Sequence, residues 1–173
     1  CADLGAQVTK IELPDGSDAL RGLAPTTPEH ALYWKVVNRG KKGITLDVRT
    51  PKGKELFLKA LSKVDVLVEN FRTGTLDKWG LDLPTLLQAN PNIIVLRLTG
   101  FGQTGPYAGR PGFARIFEAM SGLTNLIGTP ASGPQHPNIP IGDLIAGLFG
   151  AFSIASALNS LRSHPDQGGF EID

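Results

Sequence analysis

The sequence has almost none of the residues that build disulfide frameworks or metal centres. It contains one cysteine, Cys1, and three histidines that lie far apart: His30, His136 and His164. A single cysteine excludes an internal disulfide, and histidines without ligand spacing argue against zinc. We therefore expect neither a disulfide-stabilised fold nor a metal site.

Strong net charge and long hydrophobic runs are also lacking. The 17 basic and 16 acidic residues leave a formal charge of +1, which gives no global attraction to nucleic acid. The longest apolar stretch, residues 144–158, is shorter than the ~20 residues of a membrane span. We interpret it as a buried helix in which Gly147, Ala151 and Ala155 form a stripe for close packing. No secretory signal is visible, and we expect a cytoplasmic protein with no membrane or nucleic-acid partner.

The basic residues are nevertheless concentrated in one stretch, where only Asp47 and Glu55 oppose them. Such a stretch fits a solvated face, and it also fits a surface that meets a phosphorylated ligand. Binding of a polynucleotide is the weakest interpretation. The basic residues are Lys35, Arg39, Lys41, Lys42, Arg49, Lys52, Lys54, Lys59 and Lys63.

Strand-like and helix-like segments alternate along the chain, which predicts one α/β domain over residues 1–173. The strands are apolar on both faces, which is typical of a parallel sheet covered by helices. Ligands of such sheets bind beyond the carboxyl ends of the strands, where we expect the loops at Asn70, Gly100 and Asp143 to meet. The predicted strands are 6–13, 43–48, 64–69, 93–99 and one beginning at 169–172; the predicted helices are 50–63, 75–79, 84–90, 113–123 and 144–162, with loops at 14–28 and 100–112.

Residues 100–105 spell G-x-G-x-x-G directly after a predicted strand. A dinucleotide-binding fingerprint must open a helix whose N-terminus holds the pyrophosphate. Pro106 and Pro111 follow here and prevent that helix. The segment is better interpreted as a tightly turned loop that lines a site.

The loop that begins at Asn70 carries groups suited to a nucleotide-like ligand. Asn70 offers an amide, Phe71 offers a ring face for stacking a flat base, and Arg72 and Lys78 offer positive charge for phosphates. The same residues also fit a capped turn with Phe71 in the core. Local sequence leaves both interpretations open.

Asp143 stands just before the predicted helix at 144–162. It fits a helix N-cap, and that position also stabilises an ionised carboxylate. Gly142 leaves room for a substrate to approach. Asp143 therefore suits both a cap and a catalytic carboxylate.

Taken in order, the motifs resemble those of the family III CoA-transferases, and the similarity covers essentially the whole chain. No single motif is specific, but their order is. The motifs are ADLGA at 2–6, VTKIE at 8–12, NRGKK at 38–42, LD at 46–47, VENFRTGTL at 68–76, GFGQTGPY at 100–107, RPGF at 110–113, MSG at 120–122 and GD at 142–143.

The resemblance implies a Rossmann-like large domain in an interlocked homodimer, with no prosthetic group and with coenzyme A and acyl-CoA as substrates. Asp143 matches the family's aspartate, which attacks the acyl-CoA thioester and passes CoA to a carboxylic acid through a covalent aspartyl intermediate. Arg115 fits either a partner for a substrate carboxylate or a surface arginine. The CoA contacts carried over from the family are Leu46, Arg49, Asn70, Phe71 and Lys78.

Related acyl-CoA racemases need a histidine where this chain has Phe113, so the resemblance disfavours racemisation. It also implies that a strand and helix before Cys1 and a small domain after Asp173 lie outside this sequence. The alternative to an active transferase is therefore a truncated, inactive module that binds CoA or assembles.

Overall fold

The computed structural model describes residues 1–16 and 18–173, so the predicted loop at 14–28 includes one residue, Ser17, that lies outside the described part. The chain divides into two compact units, Cys1–Leu58 and Lys59–Asp173. Both contain parallel strands with helices, which confirms the α/β prediction. The assignment of the whole chain to one CoA-binding domain stays a prediction.

The first unit is built on a two-stranded parallel sheet. Its strands are β1 (Val8–Glu12) and β2 (Lys41–Thr45), and the chain between them includes helix α1 (Leu32–Val37). Helix α2 (Pro51–Leu61) begins in this unit and ends in the second. Short 3-10 helices cover Ala2–Leu4 and Ala19–Gly22.

The second unit has a three-stranded parallel sheet in the order β3-β4-β5. The central strand is buried along its whole length, and Ile94 and Val95 are fully buried. These apolar side chains form the core of the unit. The strands are β3 (Val66–Glu69), β4 (Ile94–Arg97) and β5 (Phe170–Ile172); the helices are α3 (Thr75–Lys78), α4 (Leu83–Ala89), α5 (Ala114–Met120), α6 (Leu123–Ile127), α7 (Ile141–Ser163) and a 3-10 turn at Pro165–Gln167.

Two predicted elements, a strand and a helix, were wrong for local reasons, and one helix was not predicted. The second strand lies earlier than 43–48, because Asp47 already begins the turn that precedes α2, where its carbonyl accepts the Thr50 N–H. The helix expected at 113–123 is two helices, since Gly122 has a φ of 83° and interrupts it. Helix α1 was missed altogether.

Helix α7 is longer and far more exposed than the buried helix predicted at 144–158. Only Gly150 and Ala157 are buried, so the predicted stripe of Gly147, Ala151 and Ala155 is not the packing face. A Cβ on Gly150 would lie 2.9 Å from Leu96 Cδ2, so this glycine permits the close approach to β4.

The prediction failed because the helix is apolar on all sides, whereas the narrow sheet contacts only one side. Leu148, Phe149 and Phe152 are between 66% and 71% exposed. By length and composition alone α7 could cross a membrane, but an apolar helix that packs on a sheet passes the same test.

Candidate functional site

The loops after β3 and β4 begin side by side. Glu69 and Arg97, the last residues of the two strands, are paired in the parallel register. Thr73 Oγ1 donates a hydrogen bond of 3.4 Å to the carbonyl oxygen of Gly102, which joins the two loops. The Asn70 loop and the glycine-rich loop therefore meet at the carboxyl edge of the sheet.

A buried ion network lies beneath this edge. Arg97 donates through Nε to Glu171 Oε2 at 2.6 Å, and its Nη1 is 3.5 Å from Glu69 Oε1. The Arg97 and Glu69 side chains are each 5% exposed. Burial raises the pKa of Glu69, although the Phe71 N–H and the charge of Arg97 act in the opposite direction. Arg97 is therefore the positive charge that allows Glu69 to be ionised inside the protein.

Glu69 also fixes the start of the predicted CoA loop, because its Oε2 accepts the Phe71 N–H at 2.8 Å. The Phe71 ring packs edge-on against Trp79, with centroids 5.0 Å apart, and remains 41% exposed. It is thus neither a core residue nor free of contacts. One face of the ring is available for a flat base to stack on.

The polar members of this loop are available for a ligand. Asn70, Arg72 and Lys78 are exposed. Within residues 1–16 and 18–173 their side chains make no hydrogen bond or ion pair. The loop and the adjoining helix α3 therefore carry two positive charges and an amide that no other side chain engages.

Leu46 and Arg49, the other predicted CoA contacts, belong to the first unit. Leu46 is partly buried. Arg49 is engaged by its own neighbours: Nε donates to Asp47 Oδ1 at 2.8 Å, and Nη2 to Asp15 Oδ2 at 3.1 Å. Hydrogen bonding to Asp47 raises the pKa of Arg49. A phosphate bound here would compete with two carboxylates.

The glycine-rich loop is an aromatic cluster that packs on α5. Phe101 lies edge-on to Tyr107 and to Phe117, with centroid distances of 5.7 and 5.4 Å. A side chain on Gly100 would overlap the Phe117 ring. Helix begins again only at α5, as the two prolines predict, so the loop does not present a helix N-terminus to a pyrophosphate.

Helix α5 carries the contacts on to Asp143. Glu118, the residue after Phe117, accepts the Gly142 N–H through Oε1 at 3.4 Å. A Cβ on Gly142 would lie 3.4 Å from Ala114 Cα, so the space that its missing side chain leaves faces α5. Helix α5 thus contacts both the glycine-rich loop, through Phe117, and the first turn of α7, through Ala114 and Glu118.

Asp143 is not the helix N-cap that the sequence predicted. Helix α7 begins at Ile141, Pro140 occupies the cap position, and Asp143 lies in the first turn. The prediction failed because the Gly142 N–H is bonded by Glu118, 24 residues earlier in the chain. The first turn still stabilises a carboxylate, since the positive end of the helix dipole lies there.

Partial desolvation raises the pKa of Asp143, and repulsion from Glu118 raises it further. Asp143 is nevertheless exposed to solvent. Water therefore still reaches the carboxylate, which can ionise and act as a nucleophile. Asp143 makes no ion pair or side-chain hydrogen bond within the described residues.

Sequence reasoning missed Glu118, the ionisable neighbour whose charge acts on Asp143. Glu118 is 2% exposed, and its Oε2 lies 3.5 Å from Nδ1 of His136, whose side chain is 41% exposed. The available signal was the four-residue spacing of Ala114 and Glu118, which puts both on one helix face. Arg115, the predicted substrate contact, is exposed on α5 and makes no hydrogen bond or ion pair within the described part of the chain.

Two surface grooves lie elsewhere in the second unit. One is lined mainly by α7 and β5, including Phe152, Ser156 and Phe170, and the other includes Asp65 and Arg162. Neither contains Asp143. Among the described residues, no group of three His, Cys, Asp or Glu side chains is placed to hold a metal ion.

Comparison with known proteins identifies the family. Residues 1–172 match the family model described as CoA-transferase family III. The chain is 46% identical over 170 residues to the succinyl-CoA–L-malate CoA-transferase alpha subunit of Chloroflexus aurantiacus, covering 96% of this chain and 39% of that protein. It is 37% identical over 174 residues to the succinate–glutarate CoA-transferase of Agrobacterium fabrum, covering 96% and 44%.

The fold agrees with a solved structure. A crystal structure of a CAIB/BAIF family protein from Brucella suis superimposes with a TM-score of 0.90 at 40% identity, over 99% of this chain and 46% of that one. The chain thus spans less than half the length of these relatives. By its match over nearly every residue, the chain belongs to CoA-transferase family III.

Proposed function

We propose that this chain carries the nucleophile and part of the CoA site of an enzyme that moves coenzyme A from an acyl-CoA to a free carboxylic acid. The observation that supports it most is the position of Asp143 in the first turn of α7. This turn contacts helix α5, and α5 also packs against the glycine-rich loop. The relatives named above are CoA-transferases, and dicarboxylic acids appear in their names. Succinyl-CoA is therefore the first donor to assay.

The chemistry needs only the carboxylate and the two substrates. An oxygen of Asp143 attacks the thioester carbonyl carbon, the C–S bond breaks, and CoA leaves as a thiolate, which leaves a mixed anhydride between Asp143 and the donor acyl group. The thiolate then attacks Cγ of Asp143, which releases the donor acid and leaves an aspartyl-CoA thioester. The acceptor carboxylate attacks Cγ of that thioester and expels the thiolate, which gives a second mixed anhydride. The thiolate then attacks the acceptor's acyl carbon, which releases the new acyl-CoA and regenerates the Asp143 carboxylate.

The surroundings of Asp143 suit these steps. Desolvation and the charge of Glu118 raise its pKa and so make the ionised carboxylate more basic. The positive end of the α7 helix dipole can stabilise the oxyanions that form at either carbonyl. The exposed Phe71 ring with Arg72 and Lys78 offers contacts for the base and phosphates of CoA, and Arg115 offers one for a second substrate carboxylate.

The test is Asp143→Asn in the longest chain that the gene encodes. The substitution keeps the shape but removes the nucleophile. Transfer of labelled CoA between succinyl-CoA and an acceptor acid should fall by about a thousandfold or more. Arg72→Gln, which removes a peripheral charge, should raise the KM for acyl-CoA with little effect on kcat. An Asp143→Asn enzyme with near-normal exchange contradicts the proposal.

A second candidate is a module that binds CoA or assembles without turnover. The exposed apolar surface of α7 favours it, because such a surface is typical of an interface. Calorimetry with CoA and a transferase assay on this same 173-residue chain separate the two, since binding without turnover supports the module. The homodimer that the family resemblance implies is tested by light scattering on the same sample.

A further inference from the structure

Helix α7 has no side-chain cap of its own. Pro140 at the cap position has no polar side chain, and the Ile141 N–H donates to the carbonyl of Ile139 at 2.9 Å. The next N–H, that of Gly142, points to Glu118 Oε1 on α5. The helix that carries Asp143 is therefore capped from a neighbouring helix.

Glu118 is unusual for a capping residue because it is almost completely buried. Its Oε2 is buried and makes no hydrogen bond within the described residues; the contact with His136 Nδ1, at 3.5 Å, is an electrostatic contact rather than a hydrogen bond. A buried carboxylate is costly unless positive charge balances it. The positive end of the α7 helix dipole, whose Gly142 N–H Glu118 accepts, supplies part of that balance.

We propose that Glu118 is a positioning residue for Asp143: it fixes the first turn of α7 and supplies the negative charge that the nucleophile faces. This inference rests on the proposed function of Asp143. Glu118 on α5 contacts both the first turn of α7, which carries Asp143, and His136 from the segment before α7. Arg115, the other charged residue of α5, makes no ion pair within the described part of the chain.

The arrangement predicts how Glu118 changes the ionisation of Asp143. The negative charge of Glu118 disfavours ionisation of Asp143, so removing that charge should make Asp143 ionise at lower pH.

The experiment compares Glu118→Gln with the unchanged full-length protein. Gln keeps an oxygen to accept the Gly142 N–H but removes the charge. We expect the acidic limb of the kcat profile to move to lower pH in Glu118→Gln. At the pH plateau, Glu118→Gln should lower kcat by about threefold to tenfold, while the KM for acyl-CoA changes by less than about twofold.

The matched control is Glu55→Gln, which changes an exposed glutamate of α2 paired with Lys52. It should leave the profile unchanged. A second readout, independent of turnover, is the NMR titration of the Asp143 side-chain carbon, assigned by its loss in Asp143→Asn. The midpoint of that titration should move to lower pH in Glu118→Gln, as the kcat profile does.

Two outcomes separate this inference from the proposed function. If Glu118→Gln leaves both the kcat profile and the Asp143 titration in place while Asp143→Asn is inactive, Glu118 is only a structural residue and the inference is wrong. If Asp143→Asn remains active but Glu118→Gln still moves the titration, the electrostatic coupling stands and the proposed chemistry fails. Glu118→Leu, which also removes the cap, should weaken protection of the Gly142 amide from exchange, whereas Glu118→Gln should not.

Discussion

Replacement of Arg97 by Met should destabilise the protein more than any exposed substitution in it. Arg97 and Glu69 are each 5% exposed, so the change leaves a buried carboxylate without its positive partner and removes the 2.6 Å hydrogen bond to Glu171. Loss of one partner from a buried ion pair costs about 3–5 kcal/mol. For a chain of this size that corresponds to a fall in Tm of roughly 10 °C.

The loss should also depend on pH. The native pKa of Glu69 is raised, so the stability that its protonation contributes is present below the unfolded pKa of about 4.3 and is lost as pH rises through the native pKa. Arg97 opposes that rise in pKa. Its removal should therefore cost more at pH 8 than at pH 5.

Chemical denaturation of the full-length protein at both pH values measures the effect. Arg115→Met is the matched control, because Arg115 is exposed and should change stability by less than about 0.5 kcal/mol. Adding Glu69→Gln to Arg97→Met should recover part of the loss, since no buried charge is then left unpaired. A loss below about 1 kcal/mol, or one that is larger at pH 5 than at pH 8, refutes the reasoning.

Three further predictions concern single residues of the second unit. Asp143→Asn should raise the unfolding free energy at pH 8, because the raised pKa makes ionised Asp143 unfavourable, and the gain should vanish below about pH 4 in a denaturation series. Phe71→Ala should raise the KM for acyl-CoA about tenfold through lost stacking, whereas the exposed Phe152→Ala should not. Gly100→Ala should lose about 1–3 kcal/mol by overlap with Phe117, while Gly147→Ala, where a side chain meets open space, should gain up to about 1 kcal/mol. An equal response of the two glycines, or of the two phenylalanines, contradicts the packing described.

Local patterns were enough to predict the α/β class and the parallel strands. The first three residues of β4, Ile94, Val95 and Leu96, are branched and apolar, and their burial is what such a run predicts. The prolines after the glycine-rich loop also predicted that no helix would follow at once. These features depend on residues close together in sequence.

The features that were missed depend on distant residues. The start of α7 is fixed by Glu118, and Glu118 also contacts His136, which no spacing rule links to it. The exposure of α7 could not be predicted either, because a helix with apolar residues on every side looks the same whether one side or every side is covered. The ion network of Arg97 likewise joins residues of three strands that only the fold brings together.

The most direct test of the account is to trap the acyl group on Asp143. The full-length protein is incubated with succinyl-CoA and hydroxylamine, which converts an activated carboxyl to a hydroxamate, and its peptides are analysed by mass spectrometry. We expect modification of Asp143 that requires succinyl-CoA and is absent when CoA alone is supplied. Active enzyme that is modified at another carboxylate, or at none, would contradict the assignment of Asp143 as the nucleophile.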